Sequence, residues 1–415
     1  MAVAAEAVAP TRSGIGAGVV TLLAVAVFIN YVDRGNLATA APLIKDQLHL
    51  SASQIGILFS AFFWTYIPGQ ILAGWLAERI NAYRALALGV AMWSLATAAT
   101  GLATGFIVLL ALRLVLGIGE SAAFPCSSKL LARHLPLNRL GVANGAIATG
   151  LALGPAFGTF AGGMLMAHLG WRPIFLIFGI ASLLWLVPWT SVMREAASRT
   201  DKSSHGGEPS FRDLLSRREL WGASIGHFSS NYAFYFVISW FPLYLIKSRG
   251  FSVSGMAAFL GVVYLVYALS TQVSGWASDR WMRAGASANR VRKTFIVASC
   301  LGVAAAMMGC AFGNIGVCIA SLLLAALSFG PGTVNVYAIG QTLAGPRAAG
   351  KWVGVQNCIG NISGVVGPLV TGFVIDRTGD FFWAFAIACA VTLVGVVAWG
   401  AIIPRIAPLT WPQHT

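Results

Sequence analysis

The sequence predicts an all-α integral membrane protein, with twelve transmembrane helices in two pseudo-symmetric six-helix bundles. Three observations carry that prediction. Hydrophobic residues make up 57% of the chain and charged residues 10%, where a soluble domain keeps about 25% charged to face water. Apolar runs of about 20 residues, enough to cross a bilayer, recur along the chain between short charged segments. Short sequence signals also repeat at matching places in the two halves.

The apolar runs lie at 18–43, 53–77, 84–103, 105–132, 139–168, 173–193, 219–247, 254–278, 291–312, 314–343, 350–375 and 380–404. The first follows a single basic residue, Arg12, and continues into Asn30-Tyr31-Val32-Asp33-Arg34. No small-residue cleavage pattern follows a short core, so it reads as a spanning helix and not a cleaved signal. Between runs six and seven the polar segment from Arg194 to Arg218 reads as a solvated cytoplasmic linker,. It divides the chain into a bundle at 1–193, a linker at 194–218 and a bundle at 219–415. The repeats support this division. Gly74-Trp75-Leu76-Ala77-Glu78-Arg79 follows run two, and Gly275-Trp276-Ala277-Ser278-Asp279-Arg280 follows run eight. Asn144 with Gly154-Pro155 in run five matches Asn357 with Gly367-Pro368 in run eleven. Parallel repeats of this kind place a solute site between the halves, near the midplane. The two Gly-Pro pairs are expected to bend their helices.

The net charge of +14 has no basic stripe interleaved with aromatics, which excludes a nucleic-acid partner. It follows the positive-inside rule instead. Of 27 Lys and Arg, 19 fall on the side of the termini and 5 on the other. Both termini are therefore expected in the cytoplasm. The six cysteines all lie in apolar stretches without a C-x-x-C pair and read as small buried hydrophobes,. The tryptophans read as an aromatic belt near helix ends. The 47 glycines suggest close helix packing,. No H-x-x-x-H pattern and no Walker loop is present, so neither a metal site, an ATP-driven pump nor an enzyme is expected,.

Apart from the charges in loops and at the ends of the runs, three basic residues remain inside the spans, Arg34, Arg113 and Lys129, with two acids, Asp33 and Glu120. Each costs at least about 2.5–3.5 kcal/mol to insert and so needs a reason. Asp33 and Arg34 are adjacent in run one. Arg113 and Glu120 lie two turns apart on one face of run four, with Gly117 between them,. Lys129 is expected to snorkel to water. The others either lock two helices together as paired ions or form a proton site that responds to an anion, and both can hold at once. With both acids ionised the group is neutral. With one acid protonated it carries +1 and attracts a carboxylate, which arginine grips bidentately. On this count the first half holds all the buried charge.

At these residues the chain resembles the major facilitator superfamily. Both Gly-Trp segments are similar to its loop signature, with Glu78 where aspartate is usual. Tyr31–Leu37 and Arg113–Pro125 resemble, more narrowly, the anion:cation symporter family, which includes bacterial sugar-acid carriers and sialin-like carriers. Ser60–Tyr66, Pro68-Gly69-Gln70 and Trp240-Phe241-Pro242 fit the same pattern. The resemblance implies the major facilitator fold and alternating access between the halves. It implies proton-coupled import of a small organic anion, a sugar acid such as an aldonate, uronate or aldarate, with protons as the coupling ion and no other cofactor. It further implies a functional monomer in a bacterial inner membrane, with the anion, protons and the lipid bilayer as its partners.

By the same resemblance Asp33 and Glu120 are the proton-coupling acids. Arg34, Arg113, Tyr66 and Asn357 are substrate ligands. His227, Asn231 and Tyr235, spaced i, i+4, i+8 in run seven, are further candidate ligands, as are Asn335 and Asn361. Glu78, Arg79, Asp279 and Arg280 are expected to gate the cytoplasmic face, with the two arginines pairing with acids at neighbouring helix ends. Leu151 stands where galactonate-type carriers have glutamine, which leaves an aromatic or dicarboxylic acid as the alternative substrate. An efflux carrier for hydrophobic compounds has little need of paired arginines. A receptor or sensor needs a signalling domain for which the linker leaves no room.

Overall fold

The computed structural model describes residues 13–50, 52–199, 209–251 and 253–412. Arg12 and the linker residues 200–208 lie outside the described residues. Every regular element among the described residues is helical. Helix 1 is Ser13–Gln47, helix 2 Ala52–Leu76 and helix 3 Ala82–Thr100. Helix 4 runs as Phe106–Glu120 and Ala123–His134, helix 5 as Leu140–Phe157 and Gly163–Leu169, and helix 6 as Trp171–Leu184 and Leu186–Arg199. The second half repeats the plan with helix 7 Arg218–Lys247, helix 8 Val253–Arg283, helix 9 Ala288–Phe312 and helix 10 Ile315–Ala344. Helix 11 is Ala349–Asn361 and Ser363–Thr378, and helix 12 is Phe382–Val397.

Ten stretches of the described residues are long and apolar enough to cross a membrane. One of them, Ile57–Thr100, holds both helix 2 and helix 3. These two are joined by the π-turn Ala77–Asn81, whose last residue caps helix 3 by accepting from the Tyr83 amide. Helix 7, at 30 residues, is long enough but falls outside the ten. Ser224, His227, Ser229, Ser230 and Asn231 dilute the apolar character of its first half.

Several expectations change. Helix 4 is broken directly after Glu120. Pro125 has no N–H for the Ser121 carbonyl one turn earlier, so the chain turns at Ser121 and Ala122 before resuming,. Helix 5 continues through Pro155 and loosens into a π-turn only at Gly158–Gly162, while helix 11 breaks at Ile362, ahead of Pro368. Gly154 serves packing: a Cβ there would fall 2.6 Å from that of Tyr31 on helix 1. The end of the polar linker is folded. Phe211–Leu215 forms a short helix with a Ser210/Asp213 capping box, and Leu214 is fully buried,. Four tryptophans, Trp93, Trp189, Trp352 and Trp399, are fully buried and are not belt residues, whereas Trp64, Trp276 and Trp383 are exposed as a belt requires.

The halves meet through helix 2 against helix 11 and helix 5 against helix 8. Each contact is made by glycine. A Cβ on Gly74 would fall 2.6 Å from the Gly350 carbonyl oxygen, and one on Gly141 2.7 Å from that of Gly275. The two glycines of the sequence repeat, Gly74 and Gly275, thus do the same job in both halves, at the end of the bundle that carries the termini.

Gly74→Leu should force this contact apart, because overpacking a glycine seam costs about 1–3 kcal/mol. In a cysteine-free background, a cysteine at Leu140, which is fully buried near the seam, should then be labelled by a maleimide about fivefold faster or more. Unchanged labelling would show that the seam does not hold the halves together.

Candidate functional site

Helices 1, 3 and 4 bring the buried charges together. The Arg34 guanidinium donates from Nε to Glu120 Oε2 at 3.1 Å, and its Nη2 lies 3.1 Å from the same oxygen. Glu120 is fully buried. The guanidinium sits 4.5 Å from the ring centroid of Tyr31, 4.7 Å from that of Phe62 and 4.8 Å from that of Tyr66. Such ring faces stabilise a desolvated cation by about 2 kcal/mol each at best. The ion partner of Glu120 is therefore Arg34 on helix 1, not Arg113 on its own helix. Arg113 turns to helix 2, donating to the Leu58 carbonyl at 3.1 Å with Phe62 at 5.2 Å. Asp33, although next to Arg34 in sequence, points elsewhere, since consecutive helical residues lie about 100° apart. It accepts a hydrogen bond from Thr97 Oγ1 at 3.1 Å. Gly117 lets helix 4 reach helix 2, because a Cβ there would collide with the Phe62 carbonyl.

Beside this cluster a cavity lies between the halves, with about 710 Å³ of empty space when its opening is included. The first half lines it with Tyr31, Tyr66, Phe124 and Leu151, and the second with His227, Asn231, Tyr235 and Asn361 among others. The i, i+4, i+8 face of helix 7 therefore does meet the cavity. Tyr235 donates to Asn361 Oδ1 at 2.8 Å, and Asn361 donates to the Asn357 carbonyl at 2.9 Å. Asn357 stands one layer back, accepting from Tyr337 Oη at 3.2 Å and donating to Gln70 Oε1 across the halves at 3.4 Å. Asn335 does not reach the cavity. It is fully buried, donates to the Pro331 carbonyl at 2.8 Å and accepts from Arg292 Nη1 at 3.3 Å.

Below the cavity, toward the termini, hydrogen bonds seal the halves. Asn144 and Gln341 exchange reciprocal amide bonds at 2.7 and 3.2 Å. At the end of the bundle the two repeat acids each cap a helix of the opposite half. Glu78 accepts from the Gly350 amide at 2.9 Å, at the start of helix 11. Asp279 accepts from the Gly141 and Val142 amides at 3.0 and 2.7 Å, at the start of helix 5. Carboxylates are favourable there because the first amides of a helix are unpaired and its dipole is positive. Each acid also has its own cation, Lys129 for Glu78 and Arg292 for Asp279, the latter at 3.2 Å.

Four expectations are corrected by this. Arg79 and Arg280, expected to pair with acids at neighbouring helix ends, lie over Trp75 and Trp276 at 5.2 and 5.5 Å, and the repeat acids beside them are held by Lys129 and Arg292. Lys129 turns inward to Glu78 and does not snorkel. Arg292 and Lys351, counted as loop charges, are buried, and Lys351 donates to the Pro209 carbonyl at 3.0 Å. The first half does not hold all the buried charge, since Asp279 and Arg292 are both buried in the second. Sequence reasoning also passed over Thr97, Gln341 and Tyr337 as partners. An amide inside an apolar run was a signal for Gln341, whereas a lone Thr or Tyr carries none. All six cysteines are free, and five of them are buried.

Asp279→Asn should leave Arg292 buried without a counter-charge and weaken both capping hydrogen bonds at the start of helix 5, at a cost of about 3–5 kcal/mol. A thermal-denaturation series should place the double variant Asp279→Asn/Arg292→Met above Asp279→Asn alone. The reverse order would show that the pair adds no strain when broken.

The family model described as Major Facilitator Superfamily matches residues 23–362 and 282–415. A hexuronate transporter of Bacillus subtilis is 30% identical over 382 residues, covering 89% of this chain and 90% of that protein. A D-galactonate transporter of Escherichia coli is 28% identical over 403 residues, covering 91% and 93%. Among solved structures, a proton:xylose symporter bound to 6-bromo-6-deoxy-D-glucose shares the fold with a TM-score of 0.78 at 13% identity, over 96% of this chain and 98% of that one.

Proposed function

The chain belongs to the major facilitator superfamily, and on that premise we propose that it is a proton-coupled symporter importing a small organic anion, a sugar acid, across a bacterial cytoplasmic membrane. It is a multi-pass transporter and not an enzyme. The observation that carries the proposal is the Arg34–Glu120 pair, its carboxylate fully buried, set behind Tyr31 and Tyr66 on the cavity wall. A proton on Glu120 removes the partner of Arg34 and leaves a guanidinium able to take a substrate carboxylate. Proton and anion then bind better together, which is the coupling that symport needs. Asp33 is the second proton acid, and Arg113 adds positive potential to the same region. Asn231, Tyr235 and Asn361 are suited to reading hydroxyl groups from the other half.

The bundle end that carries the termini is assigned to the cytoplasm by its excess of Lys and Arg. The seams at Gly74 and Gly275 and the caps by Glu78 and Asp279 would close that face. Residues 1–193 and 219–415 would rock about the cavity as a monomer. Uronate and aldonate transport by the relatives named above supports a sugar acid.

A second reading, an aromatic acid, is favoured by the cavity lining. Eight Phe or Tyr rings face it, and Leu151 adds an apolar surface. Proteoliposomes with an imposed pH gradient decide between them, using glucuronate, galactonate, glucarate and benzoate as substrates. With one proton per monoanion, a one-unit gradient is worth about 1.4 kcal/mol and supports about tenfold accumulation. Accumulation that survives collapse of the gradient would overturn proton coupling. Glu120→Gln should lower the accumulation ratio to about one while anion exchange persists, because the coupling between the two ligands is lost. Full accumulation by this variant would remove Glu120 from the coupling role.

A further inference from the structure

A set of buried polar atoms in the first half belongs neither to the cavity nor to the seam. Asp33 Oδ1, both amide atoms of Asn30, Ser94 Oγ and Glu120 Oε1 are buried without a well-aligned hydrogen bond to the protein, and the Asn30 amide lies within reach of Glu120. Asn30 and Asp33 share one side of helix 1 at i, i+3, while Ser94 and Thr97 share one side of helix 3 at i, i+3,. The Thr97–Asp33 hydrogen bond joins these two faces, and the Arg34–Glu120 pair brings helix 4 to the same place. Polar groups shut away in this way are ordinarily satisfied by ordered water, which typically makes about three hydrogen bonds. The charged groups that act on Asp33 are Glu120 and Arg113 on helix 4. Neither Asp33 nor Thr97 lines the substrate cavity.

We propose that Asn30, Ser94 and Thr97 frame a water-bridged polar line inside the first half that carries a proton between Asp33 and Glu120, with Thr97 as the positioning residue that aims Asp33. The inference rests on the proton-coupled reading above. Asp33 would exchange a proton with Glu120 through this line without meeting the substrate, and Glu120 would pass the charge change to Arg34. The step balances, since one carboxyl loses the proton that the other gains. Thr97 holds Oδ2 of Asp33 and leaves Oδ1 turned toward the line. Its hydroxyl donates to the ionised carboxylate, so its removal makes proton release harder.

The test compares Thr97→Val and Thr97→Ser with the parent in proteoliposomes, using whichever of the four acids above exchanges fastest. Accumulation driven by a pH gradient and anion exchange without a gradient are measured side by side, each against pH. Loss of one hydrogen bond to a carboxylate corresponds to about a tenfold change. Thr97→Val should therefore lower the ratio of driven accumulation to exchange about tenfold and move the alkaline limb of the profile to higher pH. Thr97→Ser should restore both. Where Thr97→Val does not fold, Ser94→Ala should lower the same ratio. Accumulation and exchange falling together, or neither changing, would overturn the proposal. A parent protein that exchanges but never accumulates under a gradient would instead overturn proton coupling, and this relay with it.

Discussion

An ionised side chain inside hydrocarbon must carry its compensation with it, and the architecture around the cavity follows from that constraint. Glu120 is fully buried, with Arg34 as its direct ion partner and Arg113 acting on it from one side of the same helix. Arg34 is in turn enclosed by the rings of Tyr31, Phe62 and Tyr66. The pair fixes helix 1 against helix 4, the rings fix helix 2 against both, and Gly117 permits the close approach. Removing either charge leaves the other stranded in low dielectric, so a change of protonation here is costly unless another charge enters. In the proposed symport that cost would suit the pair to coupling, because the ligand that restores balance is an anion.

The same rule, applied at the other end of the interface, produces the seal. Glu78 and Asp279 are each neutralised within their own half, by Lys129 and Arg292. Their remaining acceptor capacity is directed at helix N-termini of the opposite half. The two contacts are related by the internal repeat but differ chemically. Glu78 is one methylene longer and caps one amide, while Asp279 caps two. The closed face is thus held by hydrogen bonds to backbone and by glycine contacts, which can be broken together without exposing an unpaired charge, since each acid keeps its cation.

Between these layers lie neutral amides. Asn144 with Gln341, and Asn357 with Gln70, bridge the halves beneath the cavity. Neutral pairs suit a floor that must open, because separating them costs less desolvation than separating ions. The halves share an architecture with unequal chemistry at the cavity. Its first-half wall backs onto the buried arginine and carboxylates, and its second-half wall presents amides, hydroxyls and rings.

Membrane class, the all-helical fold and the buried charges at Asp33, Arg34, Arg113 and Glu120 were legible in the sequence. These depend on composition and spacing along one chain, and the bilayer penalises any exception. The face shared by His227, Asn231 and Tyr235 was legible for the same reason, because helical periodicity is local. Partner choice was not. Arg113 and Glu120 share a helix face yet do not pair, and Asp33 turns to Thr97 rather than to its neighbour Arg34. Arg292 and Lys351 read as loop cations, but the ends of helices 9 and 11 are covered by other segments. Which charge meets which, and which polar residue faces the cavity, is decided by helices far apart in sequence. Their rotation and depth are set by packing at glycines and by the break that Pro125 imposes after Glu120. Spacing along a single helix contains no information about these contacts, so only the tertiary structure could supply them.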